Sequence, residues 1–303
     1  MLEEFIAINR IAYSHALLSI LLVSLKLHVN SITGSLPTTL YLLTDLQELI
    51  LFENKLQGPL PENLSQQMRF LDLDYNSFTG TVPNDLFLGM SSLERLGLGS
   101  NNLGGLLPPS LGRLTSLMSL VLQDNAFSGN LETMNLHEMV ALQHLWASDN
   151  TLTGSLPEFL ADLSELRWLL LDNNELGGTL PAVLGGLSRM QRLSLSNTGL
   201  SGTLPRSLTS WRSLEIFNLA NNKLTGTVPE DYTYMTSLTD VDFAANLLTG
   251  TLPSQLGAWR SLASLNVSFN ALTGTMPELF CSRNAELTAD CVVDCGCCSG
   301  ECT

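Results

Sequence analysis

The sequence predicts an α/β repeat solenoid, about eleven stacked turns around a parallel sheet. Three observations predict it. A phrase of the form LxLxxNxLxGxLP recurs from Leu25 to Pro277 in a chain of 303 residues. Its Asn position is filled by Asn30, Asn54, Asn76, Asn101, Asn125, Asn150, Asn174, Asn222, Asn246 and Asn270, with Thr198 in the remaining copy. The gaps are 24, 22, 25, 24 and 25 residues and then 24 five times, a period that builds a stack of similar turns.

Taking the Asn as position zero, apolar residues fall at minus five and minus three, as at Leu169 and Leu171. That alternation is a short strand with one buried face. Plus two and plus six are apolar in every copy, and plus four is Gly from Gly34 to Gly274. A fixed Gly implies a backbone angle or a close approach that a side chain would block. Pro follows at plus seven in ten copies and marks the exit from a strand; the fifth copy has Glu132 instead. Further on the apolar spacing becomes three, as in Leu160, Leu163 and Leu166, which reads as a turn of 3₁₀ or helix on the return path. The Asn amide is expected to bond backbone groups that the turn would otherwise bury unpaired. Thr198 keeps a hydroxyl but lacks the amide fork, so a local weak point is expected there, eased by Asn197.

These residues resemble the leucine-rich repeat in its plant-type extracellular form, over about 250 residues. The chain is similar to the ectodomains of receptor-like kinases and receptor-like proteins, and to secreted repeat proteins of the polygalacturonase-inhibitor type. The resemblance implies a curved horseshoe with a concave parallel sheet, and a second short sheet contributed by the GxLP segment. The division expected is 1–24, an apolar N-terminal segment; 25–277, the leucine-rich repeat solenoid; and 278–303, a Cys-rich cap.

All six cysteines, Cys281, Cys291, Cys295, Cys297, Cys298 and Cys302, lie in that last segment. An even number in a short tail reads as a disulfide cap, since the last turn of a solenoid has no neighbour. Zinc is the rival reading, but no Cys-x2-Cys pair occurs. The tail also resembles the Cys-rich ends of leucine-rich repeat proteins abundant in diatoms. Asn63-Leu-Ser65 and Asn266-Val-Ser268 are glycosylation sequons and agree with secretion.

Residues Ala16 to Leu25 form an apolar run that is short for a membrane span and suits the core of a signal peptide, with Arg10 upstream. Glu3 and Glu4 spoil the usual positive start, and no A-x-A site follows. Leu22, Leu25 and Leu27 also fit the apolar slots of a first turn, so the run cannot be both. The resembling family carries a cysteine-bearing N-terminal cap that this sequence lacks, so a truncated or misjoined start is expected.

Net charge is −15, from 14 Lys and Arg against 29 Asp and Glu. An acidic chain without basic runs is a poor nucleic-acid binder. The sequence holds no kinase signature, and GLGSNNLGG at 97–105 lies inside a repeat, so it reads as repeat grammar. The four His show no metal spacing. No enzyme activity, cofactor or metal is expected.

Function is expected at the variable outward positions of the strands, minus six, minus four, minus two and minus one. The candidates are Trp146, Trp168, Asp149, Asp172, His144, Leu170, Phe52, Tyr75, Asp72 and Asp74. Trp146 and Trp168 on adjacent turns beside acids look like a peptide-binding hot spot, or else two indoles that pack together. A second surface is a hydroxyl ladder at plus three and plus five: Thr79/Thr81, Thr225/Thr227, Thr249/Thr251 and Thr273/Thr275. Such a ladder could meet ice or polysaccharide, or is simply good strand chemistry. The expectation is a non-catalytic, receptor-like module, extracellular or at the cell surface. It would bind a peptide, protein or glycan on its concave face, with a co-receptor and a membrane association through a segment not evident in the sequence. The alternatives are a secreted inhibitor or surface-binding protein using the Thr ladder, and an ectodomain fragment of a receptor-like kinase.

Overall fold

Each turn enters the main sheet with three residues and leaves it through a left-handed corner. In the computed structural model, residues 22–281, 285–290 and 293–294 are described. They form two compact units that divide after Leu152.

In the first unit the main-sheet strands are Ser24–Lys26, Glu48–Ile50, Phe70–Asp72, Arg95–Gly97, Ser119–Val121 and His144–Trp146, in parallel and in sequence order. In the second they are Trp168–Leu170, Arg192–Ser194, Ile216–Asn218, Asp240–Asp242, Ser264–Asn266 and Glu286–Thr288. The minus-five apolar residue is the register column: Leu49 pairs with Leu71, Leu71 with Leu96, and Leu96 with Leu120. In the second unit the same column runs Leu193, Phe217, Val241, Leu265 and Leu287. These side chains are buried, so one face of each strand is core and the other is open.

The expected second sheet is present; most of its strands end at or before the Gly, while Asn102–Leu106 and Ser201–Thr203 run one residue past it. In the first unit it has six strands, from Thr33–Gly34 to Thr151–Leu152; in the second it has four, from Ser201–Thr203 to Ala271–Leu272. At the turn carrying Asn174 it is reduced to the single bridges Thr153–Glu175 and Thr179–Ser201. The expected returns are 3₁₀ turns that start after Pro, as in Glu158–Asp162 after Pro157 and Glu230–Tyr234 after Pro229. Where Glu132 replaces Pro, the Asn130 side chain accepts the Thr133 N–H at 2.9 Å and caps the turn instead.

The Asn ladder has the geometry the sequence implies. Asn246 Nδ2 donates to the carbonyls of Phe243 and Ala244 in its own turn and of Leu219 in the turn before, at 2.9–3.2 Å. Its Oδ1 accepts the Leu224 N–H of that earlier turn at 2.9 Å. One side chain thus satisfies four backbone groups and ties two turns together. Thr198 is buried and does part of this work: its Oγ1 donates to Leu195 O at 2.8 Å, where an Asn amide would donate. Its carbonyl accepts the N–H of Gly177 at 2.8 Å, at the turn where the side ladder is reduced to bridges. Asn197 meets Asn173, Nδ2 to Oδ1 at 3.0 Å.

The residue before each Asn is left-handed, with φ near +55° from Val29 to Phe269 although none of them is Gly. The minus-one position is therefore a corner and not part of the strand. At plus four, Gly250 has φ +80°, and an added Cβ would lie 2.9 Å from the Thr227 methyl of the preceding turn.

The second unit adds a buried aromatic cluster. Phe217 lies edge-on to Phe243 at 5.0 Å and to Trp211 at 6.1 Å. Trp211 and Trp259 donate their indole N–H to the carbonyls of Leu184 and Tyr232 at 3.0 and 2.8 Å, so no buried indole donor is left unpaired there. Burial pushes the Tyr232 hydroxyl well above the usual phenol range.

The sheet continues past residue 277, with Glu286–Thr288 paired to Ser264–Asn266 and Val293–Asp294 paired to Gly274–Thr275. The side chain of Cys281 and all of Cys291, Cys295, Cys297, Cys298 and Cys302 lie outside the described residues, and so does the N-terminal segment up to residue 21. No described helix is long and apolar enough to cross a membrane.

Candidate functional site

The open face of the main sheet carries side chains at minus six, minus four and minus two of each turn, because the buried Leu columns take the positions between them. In the first unit Phe52 is half-buried and stacks on His28, centroids 4.6 Å apart with the planes at 16°. Tyr75 and Asp149 are exposed, but from left-handed corners. His144 is half-buried, and Trp146, at the end of the same strand, is 36% exposed.

Trp168 lies in the second unit. Its ring is covered by the Arg192 guanidinium at 4.5 Å from the centroid, and Nε1 reaches Gln191 Oε1 at 3.4 Å. Leu170 is half-buried in the same strand. Asp172 Oδ1 accepts from Ser194 Oγ at 2.6 Å and from the Ser196 N–H at 2.8 Å.

Asp72 and Asp74 differ from expectation. They point to the open face by register, yet they are only 7% and 5% exposed. The next turn explains this. Its two corresponding outward positions are Gly97 and Gly99, so both carboxylates lie down over bare backbone. A Cβ on Gly97 would sit 2.8 Å from Oδ1 of each acid. Arg95 closes over them, Nε to Asp72 Oδ2 at 2.9 Å and Nη2 to Asp74 Oδ2 at 3.1 Å. Asp74 Oδ1 accepts the Gly99 N–H at 2.6 Å. Burial, followed by the neighbouring Asp72 charge, pushes the Asp74 carboxyl up to about 7, against the pull of Gly99 and Arg95. Gln123, buried on the turn beyond, lies over Gly99, and its Oε1 has no hydrogen-bond partner among the described residues. Sequence reading missed Arg95, Gly97, Gly99 and Gln123. The available signal was Gly at two successive outward positions, which reads equally as part of the repeat.

The two hydroxyl rows differ. The plus-three hydroxyls of Ser201, Thr225 and Thr273 donate to the Gly carbonyl of the preceding turn, at 2.9–3.3 Å. At plus five, Thr203, Thr227 and Thr251 are exposed, each methyl standing where a Cβ on the next turn's Gly would meet it. They line a groove of about 830 Å³ with Pro205, Pro229 and Pro253. Asn63 is exposed, but Ser65 of its sequon is buried and donates to Thr44 O at 2.7 Å. Asn266 is half-buried in a main-sheet strand and accepts from Ser268 Oγ at 2.8 Å. Among the described residues no group of three or more His, Cys, Asp or Glu could hold a metal ion.

Fold and repeat chemistry define a leucine-rich repeat solenoid, and the comparisons agree. Leucine-rich repeat family patterns match residues 66–127, 141–163, 165–187, 189–211, 213–235 and 261–282. The chain belongs to the leucine-rich repeat family. It is similar to Receptor-like protein 18 of Arabidopsis thaliana, 39% identical over 103 residues, which is 34% of this chain and 12% of that protein. Among solved structures it is similar to a plant peptide hormone receptor, RGFR1 in complex with RGF2. The TM-score is 0.77 at 30% identity, over 89% of this chain and 47% of that one. It is also similar to the Arabidopsis receptor kinase HAESA in complex with the peptide hormone IDA and the co-receptor SERK1. There the TM-score is 0.70 at 25% identity, over 88% of this chain and 54% of that one. The chain thus spans about half of these ectodomains.

Proposed function

We propose that the chain is a non-catalytic, receptor-like recognition module that binds a peptide or protein ligand on the open face of its main sheet, outside the cell or at its surface. The observation that carries this reading is the division of labour along each strand. The inward positions repeat Leu, whereas the outward ones change from turn to turn: Ile50, then Asp72, then Gly97, then Val121, then Trp146 at minus four. A frame held by repeated residues leaves the other face free to carry a particular ligand surface. Solved structures similar to this chain include receptors in complex with peptide hormones, which supports the same reading by analogy. A glycan ligand, a co-receptor, membrane association and the sequon sugars belong to the same proposal. The test is selection of a random peptide display library on the secreted chain, with competition by a Trp146→Ala variant. Tagged full-length protein found reduced in the cytosol, or a library that yields no competable binder, would overturn it.

The second reading is surface binding through the side ladder, favoured by the exposed Thr203, Thr227 and Thr251 row. Wild-type protein should then pellet with an insoluble polysaccharide or reshape ice, while a Thr227→Lys, Thr251→Lys, Thr275→Lys triple variant keeps its fold and does neither. Failure of the wild type in both assays leaves the row as strand chemistry.

A further inference from the structure

The first unit gathers more buried acceptors than donors at one point of the open face. Asp72 and Asp74 bring two carboxylates, and Arg95 brings one guanidinium that engages only their Oδ2 atoms. Asp74 Oδ1 takes a single backbone N–H, from Gly99, and Asp72 Oδ1 takes the N–H of Asp74 at 3.3 Å. A second kind of group points to the same place. Gln123 is 6% exposed, its amide lies over Gly99, and its Oε1 has no partner among the described residues. A buried amide oxygen left unpaired costs free energy unless something donates to it. Glycine at 97 and 99 is what allows all three side chains to lie flat, since a Cβ at either position would come within 2.5–2.9 Å of them.

We propose that this acidic floor over Gly97 and Gly99 is a subsite for an ammonium group of the ligand, a lysine side chain or a free amino terminus, held by Asp72 Oδ1, Asp74 Oδ1 and Gln123 Oε1. The proposal rests on the reading of the open face as a ligand surface and deepens it. An ammonium fits the chemistry better than a guanidinium does. It is compact and presents three donors to three acceptors, whereas a planar fork would compete with Arg95 for the carboxylate edges. Arg95 is 36% exposed and forms the rim on one side, keeping the Oδ2 atoms. The charged groups facing Asp74 are Asp72 on its own turn and Arg95 on the next; the Gln123 turn contributes a neutral amide. On the turn before, Glu48 is held below the usual carboxylate range by hydrogen bonds from Lys26 and Ser24. A cation placed on the floor therefore meets a site with one negative charge in excess once Asp74 is ionised.

The probe is N-acetyl-lysine methylamide, with its Nε-acetylated analogue and N-acetyl-arginine methylamide as controls. Binding is followed by amide shifts of Gly97 and Gly99 in labelled full-length chain. The lysine probe should bind at least tenfold more tightly than either control, and more tightly at pH 8 than at pH 5.5, where Asp74 holds its proton. Asp74→Asn should remove the pH dependence. Gly99→Ala, which keeps both acids and whose Cβ would come within 2.5–2.6 Å of the Gln123 amide, should weaken the probe at least fivefold. Equal binding of the lysine and acetyl-lysine probes, or full affinity in Gly99→Ala, would overturn the subsite. The peptide library separates the two readings. Selected peptides that bind without any amine shifting Gly97 or Gly99 sink the subsite and leave the ligand face standing. A lysine probe that binds when no peptide is selected does the reverse.

Discussion

The carboxylate of Asp290 accepts the backbone N–H of Phe269 at 2.7 Å, and that of the neighbouring Asn270 at 2.9 Å. One turn earlier the corresponding N–H groups, of Ala245 and Asn246, find the carbonyls of Ser268 and Phe269. A side chain thus replaces the main chain of a following turn. Asp290→Ala should cost about 1–3 kcal/mol by leaving two donors unpaired. Hydrogen exchange should accelerate at Phe269 and Asn270 while Leu120 and Leu145 keep their protection. Uniform acceleration along the chain would refute this capping role.

Asn222 and Thr198 share one hydrogen-bond knot, and they should not be equally costly to lose. Asn222 Nδ2 donates to three carbonyls, and its Oδ1 accepts from the N–H groups of Thr198 and Leu200. Asn222→Ala should cost on the order of 3 kcal/mol or more, and Thr198→Val about 1–2 kcal/mol. Urea denaturation of both variants decides the order.

Asp74 sets a pH dependence of stability whose sign is fixed. Its folded value of about 7 lies above its unfolded value near 3.8, so the folded chain keeps a proton that the unfolded chain releases. The stability tied to this proton is fully present below about pH 4 and is lost as the pH rises through about 7. Asp74→Asn, which stays neutral, should therefore gain about 1–3 kcal/mol on wild type at pH 8 relative to pH 4. Parallel thermal midpoints of the two proteins across that range would contradict it.

Two positions with the same handedness should respond oppositely to substitution. Ala245 is left-handed at φ +53°, so Ala245→Gly should stabilise by about 0.5–1 kcal/mol. Gly250 is at φ +80° with the Thr227 methyl in the way, so Gly250→Ala should destabilise by about 1–3 kcal/mol. Chemical denaturation midpoints measure both.

The frame was legible because each repeated residue answers one local need. Leu169 and Leu171 mark the strand, Asn174 the backbone bonds and Gly178 the positive φ, and all of these are readable without neighbours. The site was less legible, because burial of an outward residue depends on what the adjacent turn lacks. Nothing in Asp72 or Asp74 alone says that they lie flat; that follows from Gly97 and Gly99, about 25 residues on. For Trp168 the sequence leaves open an exposed indole or one packed on Trp146, and neither names Arg192, its register partner one strand later, which covers the ring. The corner at minus one was misread as strand because residues as different as Glu53, Tyr75 and Phe269 occupy it. Asp124, Asp149, Asn173, Asn197 and Asn221 carry the left-handed propensity of Asp and Asn, but Val29, Glu53, Tyr75 and Phe269 at the same position mask that signal.

The Asn ladder gives the stack a direction. Asn30 bonds the Leu27 and His28 carbonyls of its own turn, whereas Asn54 also reaches back to Leu27 O and takes the Ile32 N–H. Each side chain therefore serves the turn before it and asks nothing of the turn after it. Trimming the solenoid from its two ends is then not symmetric. Within the Asn ladder, removing a leading turn frees only an amide that water can occupy, whereas removing a trailing turn strips a buried N–H, such as that of Leu224, of its acceptor. Such a stack should fray from its trailing end, and in any chain assembled this way that end is where a stopper has to be placed.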